Sequence, residues 1–341
     1  LLAIIGIVLG TMTCAQDVQT EEQRIDELPI EKASAQNLLS VATLSNWLEN
    51  SETIQLIEVS KEANYTQSHL PNAHNVWRPD YENKADYPYE GMRASQPEMA
   101  SLLGSMGVAQ GDSVVIYDDR GGCDAVRFAW ILEGYGKSNV FILDGGKRAW
   151  QLAHLEMTKD LPVDKIRDFT FEGRIKEQEI ALLEDVVQGI QDTNVLIVDT
   201  REPYEYKGQP FLKKGKKYHY KKGAYAYGCI PTALHYNWSD AVDLKTDHCL
   251  KSTKDLKHDL AKAGITKNKA IIVYCQSGVR SAHTAYVLKE VLGYPKVKNY
   301  DGSWIEWSYH YSTNQSVEIE KHTTDAEHER LYHQLASNDL K

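Results

Sequence analysis

Little in this sequence points to nucleic acid, to a metal or to a membrane span. Acidic residues outnumber basic ones, 48 against 38, which leaves a net charge of -10 at pH 7. A general nucleic-acid binder needs the opposite balance, because neutralising phosphates takes a basic surface. The five cysteines, at positions 14, 123, 229, 249 and 275, make no C-x-x-C pair and no Cys/His string with zinc spacing. No metal site is therefore expected, and no organic cofactor is called for. Low-complexity stretches are missing too, and 22 glycines with 10 prolines are ordinary usage, so most of the chain is expected to fold. The apolar run Leu1 to Gly10 is too short to span a bilayer comfortably. Followed by Thr11-Met12-Thr13-Cys14-Ala15-Gln16 and a polar, acidic stretch, it reads as the core and cleavage region of an export signal over residues 1–15. The expectation is an exported protein, periplasmic or anchored to the membrane as a lipoprotein through Cys14. In such a compartment Cys229 and Cys249 are the candidate disulfide pair. The default for Cys123 and Cys249 is an unpaired residue packed as a small apolar group.

What the sequence does have is enough material for two domains: 341 residues, 42% apolar and 25% charged. Laid against itself, it shows one pattern twice. The first copy runs Ile57-Glu58-Val59 (strand), His69-Leu70-Pro71-Asn72-Ala73 (turn into a strand), Ser113 to Tyr117 (strand), Ala125 to Leu132 (helix), Val140 to Leu143 (strand) and Asp144-Gly145-Gly146 with Trp150 behind it. The second runs Leu196 to Asp199, Cys229-Ile230-Pro231-Thr232-Ala233, Ala270 to Tyr274, a helix from about Ser281 to Leu292, Val297 to Tyr300 and Asp301-Gly302-Ser303-Trp304. Short β-branched runs alternating with amphipathic helical stretches predict an α/β fold, with mostly parallel sheets covered by helices on both faces. Ala285, Leu288, Val291 and Leu292 share one helical face, and Gly293 stops that helix. The predicted organisation is a first domain over 34–154, a linker over 155–178, a second domain over 179–311 and a polar tail or loosely docked helix over 312–341. Seven lysines between Lys207 and Lys222 interrupt the acidity. Such a run is ordinarily a solvated loop, and the alternative is steering of an anionic substrate.

The chemistry is expected in Tyr274-Cys275-Gln276-Ser277-Gly278-Val279-Arg280-Ser281, between an apolar strand and a helix. In a doubly wound sheet this is the carboxyl end of a strand, where ligands bind. A short loop entering a helix N-terminus turns successive N-H groups toward one point and makes an anion nest. A thiol at its start, with Arg280 five residues on, favours the thiolate and pulls its pKa from about 8.5 toward roughly 3.5 to 7.5. Gln276, Ser277, Gly278, Val279, Arg280 and Ser281 are thus the candidate cradle, with Gly278 letting the backbone curl, Arg280 closing the loop or facing the anion, and Ser281 capping the helix.

This constellation resembles the rhodanese family in its two-domain, tandem form. Asp199-Thr200-Arg201 with Glu205-Tyr206 and Gly208 is similar to that family's D-x-R…E-Y-x-G segment, Gly228 to Ala233 to its G-H-I-P-G-A turn, and Tyr300 to Trp307 to its closing Y-D-G-S-W-x-E-W. Gly91 to Ser95 and Leu143 to Gly146 with Trp150 fit the same type, so the resemblance covers roughly residues 38 to 310. It implies two rhodanese-like domains and a sulfurtransferase that takes a sulfane sulfur from a small anionic donor such as thiosulfate onto Cys275 and passes it to cyanide or another thiophilic acceptor. In the first copy Asp118 stands where Cys275 stands in the second, with Cys123 aligned to Arg280, so that domain is expected to be non-catalytic. Cys229 replaces the usual His or Arg and Thr232 the usual Gly. Glu205 stands where thiosulfate- or mercaptopyruvate-using members often carry Arg, which leaves the donor open.

Asp199, Arg201, Glu205, Arg78 and Arg93 are candidates to bind substrate or to orient the loop. A buried Asp199–Arg201 pair is the expected role of the first two, and surface positions are the default for Arg78 and Arg93. Trp238, Trp304 and Trp307 are expected in cores or at the domain interface. The rivals are a 3-mercaptopyruvate sulfurtransferase, a phosphatase or arsenate reductase, and an exported sulfur-relay or binding module whose acceptor is a protein thiol. The phosphatase relatives have one more residue between Cys and Arg, which disfavours that reading.

Overall fold

The computed structural model describes residues 33–50, 54–83, 85–163, 165–315 and 317–337. The expected export signal and Cys14 lie outside them. No helix among the described residues is long and apolar enough to cross a membrane.

Each half builds the same five-stranded parallel sheet. In the first, β1 (Leu38–Leu39), β2 (Ile54–Val59), β3 (Ala73–Val76), β4 (Ser113–Tyr117) and β5 (Val140–Leu143) lie in the order β1-β5-β4-β2-β3. In the second, β6 (Ile180–Ala181), β7 (Val195–Asp199), β10 (Leu234–His235), β11 (Ala270–Tyr274) and β12 (Val297–Tyr300) lie in the matching order β6-β12-β11-β7-β10. A hairpin of β8 (Phe211–Lys213) and β9 (Lys216–Tyr218) is inserted in the second half alone. The central strands are near-continuous buried runs such as Val114-Val115-Ile116-Tyr117 and Ile271-Ile272-Val273-Tyr274, as a parallel sheet covered on both faces requires. Register repeats as well as order. Glu58 lies opposite Tyr117 and Asp199 opposite Tyr274, and each tyrosine hydroxyl accepts a main-chain N-H at 3.0 Å, from Leu70 and Ile230 respectively.

Helices α1 (Val41–Asn50), α2 (Gln96–Ser105), α3 (Cys123–Gly134) and α4 (Gly146–Leu152) clothe the first sheet. Helices α5 (Leu183–Gln191), α6 (Thr253–Lys262), α7 (Val279–Tyr286) and α8 (Ser303–Ser312) clothe the second. The start of α2 is dictated locally, because Ser95 and Glu98 close a capping box around Pro97. The helix after β11 starts two residues before the expected Ser281, and its last turn, Val287–Val291, widens to π geometry before Gly293 ends it at φ +67°.

Helices α3 and α7 pack against each other and join the halves. Tyr286 of α7 enters the first half's core, Cys123 of α3 enters the second's, and Arg127 of α3 reaches Asp301 at 2.6 Å, both side chains nearly without solvent. Burying that much charge is tolerable only because it is paired. The segment after each domain turns back onto it. Thr158 bridges to His69, Glu320 bridges to Cys229, and the Trp150 and Trp307 indoles donate to the carbonyls of Glu156 and Glu318. In the described residues of the expected linker, 155–178, Phe169 and Phe171 pack on the first core. Beyond 312 the chain forms α9 (Asp325–Ser337), held against the hairpin by fully buried His328, which meets the Gly208 carbonyl at 2.8 Å and stacks on Tyr227.

Candidate active site

Strand β11 ends at Tyr274, and the next residue, Cys275, is 1% exposed. The loop is short: Gly278 is already the N-cap of α7, at φ +76°. A Cβ there would lie 2.8 Å from an Arg127 nitrogen and from the Asp301 carbonyl, so glycine is required both for the turn and for the close approach. Ser281, expected to cap the helix, is inside it instead. Its fully buried hydroxyl and the main-chain N-H groups of Ser277 and Ser281 lie close enough to the Cys275 sulfur to favour its thiolate. From beneath, Ser303 Oγ accepts the N-H groups of Cys275 (3.1 Å) and Gly278 (3.0 Å) and donates to the Tyr300 carbonyl. Part of the nest thus braces the loop and part faces the thiol.

Burial alone would push the Cys275 thiol up, but the Arg280 guanidinium and the bonds from Ser281 and Ser277 outweigh it and bring the pKa below the ordinary value. Arg280 does not project into solvent to meet a substrate. It forms a fork with Glu205, at 2.6 and 2.9 Å, inside the protein. Glu205 sits on the short turn Pro203–Tyr206 that follows β7. Its own burial would raise its carboxyl, yet Arg280 and then Lys221, whose Nζ is 3.7 Å away, hold it at about 2. Desolvation and the neighbouring Arg280 bring Lys221 down to about 8. Asp199 and Arg201 form the expected buried pair, with bonds of 2.5 to 3.0 Å, further tied to the Gly228 carbonyl and to the Tyr274 hydroxyl. They brace the floor of the site and do not line its opening.

Above the loop opens a cleft of about 810 Å³, with Gln276 and Ser277 on one wall, Arg78 and Gly91 of the first half on another, and Lys213, Lys214, Lys216, Lys221 and Lys222 of the hairpin region over them. Five of the seven lysines of the run thus rim this cleft, with Lys213, Lys214 and Lys216 exposed to solvent. The cleft is also closely walled at its base, because a Cβ on Gly91 would fall 2.6 Å from that of Ser277. Arg78 faces the cleft, pairs with Asp124 at 2.6 Å and lies over Trp77. Arg93 is elsewhere, between the rings of Trp130 and Tyr135 and 4.0 Å from Asp301, and serves the domain junction. Trp238 and the pair Trp304 and Trp307 are core residues. The four described cysteines are free thiols, so the Cys229–Cys249 disulfide does not form: Cys229 faces Glu320 and His322, and Cys249 lies against Asp247. Sequence reasoning missed Ser303 as part of the site, and had Lys221 only as one of the lysines of the run. The positive φ of Ser303, +52° where the first half has Gly146 at +50°, is the trace of its special position.

In the first half the equivalent loop is one residue longer before its N-cap, Gly122. That extra residue corrects the expected alignment of Cys123 with Arg280. By helix position Asp124 takes the place of Arg280, while Cys123 points into the second core, where burial pushes its thiol well up.

The model of the "Rhodanese-like domain" matches twice, over residues 40–153 and 182–310. The chain is 31% identical to the thiosulfate sulfurtransferase of Azotobacter vinelandii, over 76% of this chain and 89% of that one. It is 32% identical to the sulfur carrier protein TtuD of Thermus thermophilus, over 74% and 87%. Among solved structures, EanB with ergothioneine superposes with a TM-score of 0.71 at 20% identity, covering 85% of this chain and 71% of that one, and YnjE with 0.69 at 22%, covering 84% and 69%. Two matched domains, a shared sheet order and relatives above 30% identity over most of their length make this chain a tandem member of the rhodanese-like family.

Proposed function

We propose that this rhodanese-type transferase carries sulfane sulfur as a persulfide on Cys275, with thiosulfate or a similar anion as donor. The Cys275 thiolate attacks the outer sulfur of thiosulfate. The S–S bond of the donor breaks, its electron pair leaves with sulfite, and the new Cys275 S–S bond puts the transferred atom at the mouth of the loop. The N-H groups of Ser277 and Ser281 that bond the thiolate are in position to hold the persulfide anion. Cyanide or a thiolate then attacks the outer sulfur, and the electron pair returns to Cys275 as thiolate. This two-step exchange predicts ping-pong kinetics.

The observation that carries this reading is a thiol lowered in pKa inside an N-H nest, beneath a lysine-rimmed cleft. The paired Arg280 sets the field at the sulfur, whereas Lys221 and the hairpin lysines supply the charge that draws in an anionic donor. The cleft is far larger than thiosulfate, and this favours a second reading in which the acceptor is the thiol of a larger partner. A relative named as a sulfur carrier supports the same reading. With the export signal expected at 1–15, we assign this exchange to the periplasm or the membrane surface.

The test is intact mass of the wild type and of Cys275→Ser, after thiosulfate and then after cyanide. A gain of about 32 Da by the wild type alone, one sulfur on the nucleophile, reversed by cyanide, is the expected result. Failure to take up sulfur from either thiosulfate or mercaptopyruvate would overturn the proposal.

A further inference from the structure

The bridge that closes each domain carries different side chains in the two halves. In the first, His69 is paired with Thr158, and two residues on stands Asp160. The two nitrogens of His69 meet the carbonyls of Tyr65 and Asp160, at 3.0 and 3.1 Å, so that ring is committed to main chain. In the second, Cys229 is paired with Glu320, and two residues on stands His322. Alternate residues of an extended segment share a face, so Glu320 and His322 both turn toward Cys229. All three positions differ between the halves, His, Thr and Asp in the first and Cys, Glu and His in the second, and in the second the side chains point at one another.

We infer that Cys229, Glu320 and His322 form a binding site for a divalent transition cation of the zinc type, separate from the sulfur-transfer centre. One ligand atom of each lies within 4.8 Å of the other two. Cys229 Sγ is 3.4 Å from His322 Nε2, and that nitrogen is 3.7 Å from Glu320 Oε1. A tetrahedral zinc, with sulfur at about 2.3 Å and nitrogen or oxygen at about 2.0 Å, holds its ligand atoms roughly 3.4 to 3.6 Å apart. The set is thus spaced for an ion with small movements of the side chains. Thiolate, imidazole and carboxylate together suit zinc over magnesium or calcium.

The surroundings fit a ligand set as well. Glu320 Oε2 accepts the Thr232 N-H at 3.1 Å, which fixes the carboxylate, and the Tyr206 ring lies against the His322 ring at 4.6 Å. Cys229 is buried while His322 and Glu320 are 33% and 43% exposed in their side chains, so the ion has access from solvent, and water completes its coordination. No spacing in the sequence announces the site, because 93 residues separate the thiol from the imidazole. The ion would pin the returning segment to the turn before β10. That segment leads into α9, which braces the hairpin over the cleft.

The test uses the full chain carrying Cys275→Ser, so that the reactive thiolate does not compete. Stripped of metal and reduced, it is titrated with Zn²⁺ against a chromophoric chelator and with Co²⁺ for a thiolate charge-transfer band. One equivalent of Zn²⁺ and a Co²⁺ band are expected. Cys229→Ser should abolish the band, and either Cys229→Ser or His322→Ala should weaken Zn²⁺ binding at least about 100-fold. The partly exposed His322 keeps the test valid should Cys229→Ser fail to fold. The inference is overturned if no Zn²⁺ is taken up, or if uptake is unchanged in both variants, as binding by the histidines of α9 would produce.

Discussion

The two halves of this protein wrap the same loop around different atoms. In the first, the N-H groups of Arg120, Gly122, Asp124 and Ala125 all bond the carboxylate of Asp118, at 2.8 to 3.1 Å. That nest is filled by a side chain of its own loop. In the second, the residue at the same strand end is Cys275, and the nest faces its sulfur instead of a carboxylate. The cation differs too: Arg280 stands beside the sulfur, whereas Asp124 occupies the matching place beside Asp118. Burial, and then Asp124, push the Asp118 carboxyl up to about 6 even against four N-H bonds. The lesson is that the fold supplies an anion site in both halves, and that the identity of one residue decides whether the site is spent or available.

The comparison breaks most sharply if the residues are exchanged. Cys275→Asp should fill the second nest as the first is filled, with persulfide formation from thiosulfate lost by at least ~10⁴-fold in a stopped-flow or mass-based assay. The reverse change, Asp118→Cys, should create no sulfur-loading site, because a thiolate there would face Asp124. Sulfur found on residue 118 by peptide mapping would show that the nest alone suffices.

A smaller effect is expected from Glu205→Gln, which leaves Arg280 buried without its countercharge and should cost about 3 to 5 kcal/mol in denaturant unfolding. The sign with pH follows from the Glu205 carboxyl, held at about 2 against an ordinary 4.5. Its contribution is complete above pH 4.5 and is lost as pH falls toward 2, so the gap between wild type and variant should narrow over that window. A gap independent of pH would mean that the fork contributes packing and not charge.

The hairpin belongs to the second half alone, and its contribution should be the smallest. Lys213, Lys214 and Lys216 changed together to Gln should lower kcat/KM for thiosulfate about 10-fold at low ionic strength. The difference should shrink as salt is added, since these charges are exposed. Equal loss at all ionic strengths would point instead to direct contact with the donor.

Much of this arrangement was legible in the residue order. The β-branched runs and the turns that follow them are local signals, and the expected strands at 57–59, 113–117, 140–143, 196–199, 270–274 and 297–300 all fall in strands because buried parallel strands leave continuous apolar runs, whereas the short β1 and β6 and the β8–β9 hairpin left no such run. Cys275 stood out because its loop is short, glycine-bearing and followed by a helix. The misplacements came from the same local view. Ser281 looked like a cap because serine caps helices, but Gly278 had already begun the helix. Cys123 looked like the partner of Arg280 because counting from Asp118 ignores a one-residue difference in loop length.

By itself, then, the sequence determined the duplicated α/β fold, the spent and open loops and the thiol at the head of the open one, since each is written in neighbouring residues. Only the tertiary structure decided what those residues meet. Glu205 finds Arg280 75 positions away, Arg127 finds Asp301 across the domain junction, and Cys229 finds His322 at the far end of the chain. Such pairings depend on strand order and on how α3 and α7 pack, which no local pattern encodes, and they fix the charge at the sulfur and the walls of the cleft.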